Sequence, residues 1–289
     1  MTRTRLGRIL VLDPGCVKPE TEVYNTFNRM FSELTQVAPG VLDCIQFVVP
    51  KIGGMRLRDM ASDCDVAGII SLGSVANVTD NHKWVETLCA DLEPLLFEQG
   101  IPFYGSCFSH QLLAWIVGNE VDFLRNRQDV PGRKYRGKRK IQVAHPKMGV
   151  LFADMRPEDY LSGNAADLEF VEACQNLLSW KRLDWSYAKL RDGYHTAREN
   201  RFLGFCDERV PSSFVARVAH EQEVWSNVHP DFAVAASSSA CAVDGLVHLD
   251  LPIFSLQSHP EWPERTGDGW RFLKNFLYFV LIKRRNEMM

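Results

Sequence analysis

Along the first 120 residues, short apolar runs alternate with longer stretches whose apolar residues fall three and four apart. The first pattern predicts buried strands and the second amphipathic helices. Arg8 to Asp13 is strand-like and stops at Pro14-Gly15. Thr21 to Val37, with apolar residues at 23, 27, 30, 31 and 34, predicts a helix. Val41 to Val49 predicts a second strand, and Lys51 to Ser62 is mixed. Val66 to Ser71 predicts a buried strand, followed by a helix over Asn81 to Gln99 with Asp80 as its N-cap. Ile101, Phe103 and Tyr104 form a short strand that ends at Gly105, and Phe108 to Val117 predicts a helix. This β-α-β-α-β-α-β-α order predicts an α/β fold, a parallel sheet with helices on both faces.

The second half has a different rhythm. Lys140 to Ala144, Phe214 to Ala219, Phe232 to Ala236, Cys241 to Leu249 and Ile253 to Gln257 are strand candidates with hairpin-like spacing. Between the first two lies residues 152–213, read as an inserted helical subdomain or flap. Helical periodicity there runs from Ala165 to Lys189 through Leu168, Val171, Cys174, Leu178 and Trp185. Trp270 to Lys283 closes the chain as an amphipathic helix. The whole of 1–289 is read as one domain carrying that insertion.

Bulk properties remove several function classes. A formal net charge of −3 and a pI near 6.3 give no pull towards nucleic acid or anionic membranes. The longest apolar run, Phe276 to Ile282, is far below the ~20 residues needed to span a bilayer. Ile9 to Leu12 is too short for a signal-peptide core. None of the eight cysteines has C-x-x-C spacing, so no metal site is expected, and a reducing cytoplasmic location is. No G-x-x-x-x-G-K-[ST] loop occurs, so no cofactor is expected and the chain should not activate an acceptor with ATP.

The chemistry concentrates at Ile101 to Gln111, IPFYGSCFSHQ. Cys107 falls at a strand–turn–helix junction, where helix N–H groups and the helix dipole favour a thiolate. Far downstream, a second strand ends in Gln257-Ser258-His259-Pro260-Glu261. Glu261 is spaced to orient His259, giving a nucleophile, base and orienter. His145-Pro146 and His229-Pro230 also follow apolar residues and rank behind His259 as bases. His110, beside the nucleophile in sequence, should face away from the thiol on its helix.

Gly105-x-Cys107-x-x-x-Gln111 and Gln257-x-His259-Pro260-Glu261 together resemble the class I (Cys-His-Glu triad) glutamine amidotransferases of the GMP-synthase-glutaminase-like kind. Gly68-Ile69-Ile70-Ser71-Leu72-Gly73-Ser74-Val75-Ala76-Asn77-Val78-Thr79-Asp80 is similar to that family's third segment, and the three follow the family's order. The resemblance implies a flavodoxin-like three-layer fold with a mainly parallel central sheet, plus the partly helical insertion. It assigns the oxyanion hole to the backbone of Gly73, Ser74 and Phe108. It places Gln111 in the substrate pocket and His220-Glu221-Gln222 where the family touches the glutamine backbone. Where the family usually has glycine, this chain has Ser109, a side chain expected to narrow the turn or meet substrate; Ser74 and Ser106 also stand where glycine is common.

The implied activity is hydrolysis of the glutamine side-chain amide through a γ-glutamyl thioester on Cys107, with ammonia passing to a separate synthase. The alternatives are a γ-glutamyl peptidase or hydrolase using the same triad, and a non-catalytic binding module. The expected partners are therefore glutamine or a γ-glutamyl compound and a separate synthase subunit. Arg125 to Lys140, with eight basic residues and one acid, reads as a solvated loop, or else as a dock for an acidic or phosphate-bearing ligand.

Overall fold

The computed structural model describes residues 7–15, 21–37, 39–50, 56–124, 135–153, 174, 178, 209–225, 227–262 and 268–288. In chain order the first half holds β1 (Gly7–Leu12), α1 (Thr21–Val37), β2 (Leu42–Val48), α2 (Leu57–Asp63), β3 (Val66–Ser71), α3 (Lys83–Glu93), β4 (Phe103–Ser106) and α4 (Phe108–Ile116). There follow β5 (Val121–Phe123), β6 (Tyr135–Val143), α5 (Pro146–Leu151), β7 (Ser213–His220), β8 (Gln222–Val224) and β9 (Phe232–Ser238). The chain closes with β10 (Cys241–His248), β11 (Ile253–Leu256) and α6 (Asp268–Met288).

Nine strands form one sheet in the order β2-β1-β3-β4-β11-β10-β9-β6-β7, and β5 and β8 form a separate ribbon. From β2 to β11 all neighbours are parallel; from β11 to β7 all are antiparallel. The α/β class thus holds, in a mixed sheet whose parallel half carries the helical crossovers and whose other half carries the hairpin-spaced strands. β11 lies beside β4, with Leu256 opposite Ser106. Two segments about 150 residues apart therefore end side by side, at the carboxyl edge where open α/β sheets bind ligands.

Strand alternation feeds two cores. Ile9, Val11, Ile70, Tyr104 and Phe254 pack on one face with Phe27 of α1 and Phe272 and Phe276 of α6. Leu10, Leu12, Ile69, Phe103 and Ile253 pack on the other with Leu57, Val85 and Leu112 from α2, α3 and α4. Short apolar runs without alternation of polarity are what a strand covered on both faces requires.

Three expectations change. The helix after Asp80 begins at Lys83 and ends in a π turn over Pro94–Glu98; its N-cap is His82. Asp80 instead accepts the Asn77 N–H at 3.0 Å, and Asn81 breaks the path with φ +53°. The mixed stretch contains α2. The basic run is strand from Tyr135 on, with Arg139 and Ile141 buried and Arg136, Lys138 and Lys140 exposed; its first part, 125–134, lies outside the described residues. The 152–213 insertion also lies outside them, apart from its edges and two helical, buried residues, Cys174 and Leu178. Among the described residues, no helix is long and apolar enough to cross a membrane.

Candidate active site

Cys107 occupies the single-residue turn between β4 and α4 with φ +48° and ψ −105°. Such a backbone costs roughly 1–3 kcal/mol in a non-glycine residue and persists only where the surroundings over-determine it. Here its N–H donates to Leu256 O at 2.8 Å, and its carbonyl accepts from His110 and Gln111 N–H, both at 3.1 Å. Gly105 permits the turn: a Cβ there would lie 2.9 Å from Ser109 O. The thiol is buried and directed at Ala219 O, 3.7 Å away.

His259 follows β11 on the same edge, and its N–H donates to Arg217 O at 2.8 Å. Its Nδ1 bonds Glu261 Oε1 at 2.8 Å, and both side chains are buried. Ser106 Oγ donates to the same carboxylate oxygen at 3.1 Å, and Trp262 stacks on the imidazole at 4.3 Å between ring centroids. Nε2 is buried without a hydrogen-bond partner among the described residues. Burial alone would lower the His259 pKa; the facing Cys107 charge and the Glu261 carboxylate outweigh it and hold it well above the usual histidine value. A protonated imidazole beside the cysteine is the state this arrangement favours for His259.

Gly73 closes the third side. A Cβ on it would fall 2.7 Å from His259 Cε1 and 3.4 Å from Cys107 Cβ, so only glycine brings this loop against both groups. Ser109 is fully buried and meets the loop, not substrate space: its Oγ donates to Leu72 O at 2.7 Å and lies 2.7 Å from Ser71 Oγ. The Ser109 hydroxyl thus fastens the Gly73 loop to α4. Phe108 N–H is the first of α4, among the donors a helix leaves unpaired internally.

The pocket residues expected from the resemblance are placed differently. Gln111 Nε2 donates to Gln222 O at 2.8 Å and Gln257 Oε1 at 3.1 Å. Gln222 Nε2 donates to Thr79 Oγ1, His220 Nδ1 lies 2.9 Å from Gln222 O, and Glu221 accepts from Asn77. These four side chains brace α4, β8 and the Thr79 loop against one another. They are not among the residues that line the cleft beside Gly73 and His259; Gln111 is turned into the contact between α4 and β8. The cleft, about 750 Å³, is lined instead by Asp13, Gly73, Ser74, Trp262 and a basic wall of Arg136, Lys138 and Arg217. Trp262 adjoins Glu261 in sequence, its only signal there, whereas Ser106, beside Cys107, stands out in the sequence only as occupying a place where glycine is common.

His110 is buried between Ser255 Oγ at 2.9 Å and Val243 O at 3.1 Å, and burial pushes its pKa down to about 3. It is a structural, neutral histidine. His229-Pro230-Asp231 repeats the His-Pro-acid spacing, so spacing alone does not rank the two. It precedes β9, however, at the edge opposite Cys107.

The fold these strands define, with its cysteine elbow, is that of the class I glutamine amidotransferases. The structure of a GMP synthase subunit from Thermoplasma acidophilum superposes with a TM-score of 0.59 at 19% identity, covering 99% of this chain and 100% of that one. A glutamine amidotransferase from Thermotoga maritima gives 0.54 at 13%, covering 97% and 98%. In sequence, the glutamine-hydrolysing GMP synthase subunit of T. acidophilum is 38% identical over 79 residues, which is 27% of this chain and 36% of that protein. The chain thus spans little more than a third of the length of the curated relatives it matches. No protein-family model matches it.

Proposed function

We propose that this chain hydrolyses a γ-glutamyl amide, glutamine first among them, through a thioester on Cys107. The observation that carries the reading is a strained cysteine at a helix N-terminus facing an imidazole whose far nitrogen is held by Glu261. Sγ attacks the side-chain carbonyl carbon, and the C–O electron pair moves onto the oxygen. The Phe108 N–H and the Gly73-Ser74 backbone are assigned to that oxyanion, a role worth roughly 3–4 kcal/mol per well-aimed donor. The C–N bond then breaks as His259 gives its Nε2 proton to the departing amine. Water, deprotonated by His259, adds to the thioester carbon; the C–S bond breaks, and glutamate leaves. Gln111, His220, Glu221 and Gln222 act in this reading by positioning the thiol's surroundings.

Released ammonia would pass to a separate synthase, as the name of the T. acidophilum relative suggests for that protein. A γ-glutamyl hydrolase is the second reading, favoured by a cleft larger than glutamine requires. Glutamate release by purified chain beside Cys107→Ala tests the proposal. Turnover that disappears in the variant supports it; equal turnover by the variant rejects it.

A further inference from the structure

Position 73 is under two opposed demands. It must be glycine, because a Cβ there would meet the His259 ring at 2.7 Å. A residue without a Cβ, however, restrains its own backbone least of all. The loop that comes closest to Cys107 and His259 therefore has the weakest restraint of its own where its aim matters most. That restraint has to come from outside the loop.

Two hydrogen bonds at Leu72 supply it. Leu72 N–H donates to Leu12 O at 2.9 Å, which sets the peptide plane before Leu72. Ser109 Oγ donates to Leu72 O at 2.7 Å, which sets the plane after it. That second plane also contains the Gly73 N–H, which makes no hydrogen bond among the described residues. The peptide is trans, so its carbonyl and N–H point in opposite directions from one rigid unit. Whatever orients Leu72 O therefore orients Gly73 N–H. A bond accepted at the carbonyl also polarises the amide, which makes its N–H a stronger donor.

The proton positions follow from the donor inventory. A carbonyl can only accept, so the single Ser109 hydroxyl proton goes to Leu72 O. In the 2.7 Å contact between Ser71 Oγ and Ser109 Oγ, Ser71 is then the donor. Both serines are fully buried, so bulk water competes for neither bond. Ser109 stands two residues after Cys107 in the first turn of α4, which ties the loop to the nucleophile's own helix. The far side of the loop is held separately, by Ser74 Oγ donating to Pro14 O at 3.3 Å.

We propose that Ser109, backed by Ser71, is a positioning residue for the oxyanion: its hydroxyl aims the Gly73 N–H at the charge that develops as Cys107 attacks. The proposal rests on the Cys107 thioester reading. Ser109 touches no reacting atom and moves no proton; it acts through the direction and polarity of one donor. Its removal weakens an interaction that is strongest in the transition state, so the loss falls on kcat and spares KM.

The test compares glutamate release from glutamine by the whole chain, Cys107→Ala, Ser109→Ala, Ser109→Thr and Ser71→Ala. Beside it runs the rate of Cys107 alkylation by iodoacetamide, read on the Cys107 peptide by mass spectrometry. Losing a whole oxyanion donor costs about 10²–10³-fold in kcat, so a donor retained but misaimed should cost about 10–50-fold in Ser109→Ala, with KM within about threefold. Ser109→Thr keeps the hydroxyl and should recover most of that loss. Ser71→Ala leaves the Ser109 bond in place but unsupported, and should lower kcat by about two- to fivefold. Iodoacetamide reacts at a saturated carbon and forms no oxyanion, so its rate on Cys107 should stay within about twofold in both alanine variants. Should Ser109→Ala fail to fold, Ser71→Ala and Ser109→Thr decide by the same two rates. Parental kcat in the alanine variants, or an alkylation rate that falls in step with kcat, overturns the proposal while sparing the thioester reading. Glutamate release that persists in Cys107→Ala, or none from the parent chain, overturns both.

Discussion

His259-Pro260-Glu261 and His229-Pro230-Asp231 are the same three-residue pattern at opposite edges of one sheet. In the first, imidazole and carboxylate meet at 2.8 Å with side-chain exposures of 7% and 4%; in the second they stand 3.7 Å apart at 38% and 45%. The first follows a strand and reaches the carboxyl edge beside Cys107, whereas the second precedes a strand on the other side. Burial separates the two pairs: only the first is shielded from solvent. An ion pair in water contributes little because solvent screens it, while the same pair shielded from solvent perturbs its members strongly. The lesson is that spacing gives the orientation of an imidazole, but the strand's direction decides whether it meets Cys107.

The largest break in that comparison comes from removing each ring. His259→Ala should lower kcat/KM by about 10³-fold or more, within the range for loss of a general acid–base, and His229→Ala should leave it within about twofold. Comparable losses in steady-state assays would contradict the assignment. Gly73→Ala should cost about 10²-fold in kcat, because its Cβ would collide with the His259 ring. A circular dichroism melt close to the parent would show that the loss is local.

Glu261→Gln sharpens the comparison through pH. The carboxylate helps hold His259 protonated, so its removal lets burial lower the pKa. The imidazolium that must protonate the leaving amine then disappears at lower pH, and the alkaline limb of the kcat/KM profile should move down, with a maximum reduced by roughly 10–100-fold. An unmoved limb would show that Glu261 does not set this proton. Ser106→Ala gives the smallest effect. It removes one hydrogen bond to a charged group, worth about 1.5–3 kcal/mol, spread between stability and catalysis. A kcat loss of roughly tenfold is expected, and the limb should shift in the direction opposite to that in Glu261→Gln.

The contrast also explains what could be read from the chain. The strands of the parallel half were legible within a residue or two, because strands buried on both faces must be apolar throughout; α2 and the start of α3 were not. The turn that holds Cys107 and the pairing of His259 with Glu261 were legible because each is fixed by local geometry: a turn, a strand end and a two-residue offset. Gln111 and His220 to Gln222 were harder, since a side chain's direction depends on which face of α4 meets β8, a long-range contact. The cleft's cationic wall was visible as composition only. Its place in the cleft depends on the β6–β7 register, which puts Lys138 against Arg217 across more than 70 residues of chain. The Asn81 break escaped notice because a positive φ at asparagine leaves no periodic trace.

The central claim is that Cys107 forms the covalent γ-glutamyl intermediate. Intact-mass and peptide-level mass spectrometry after treatment with a glutamine-like chloroketone tests it most directly. The account predicts one adduct, on Cys107, absent in Cys107→Ala and slowed in Gly73→Ala. An adduct on any other of the eight cysteines, or rapid labelling that ignores His259→Ala, would contradict it.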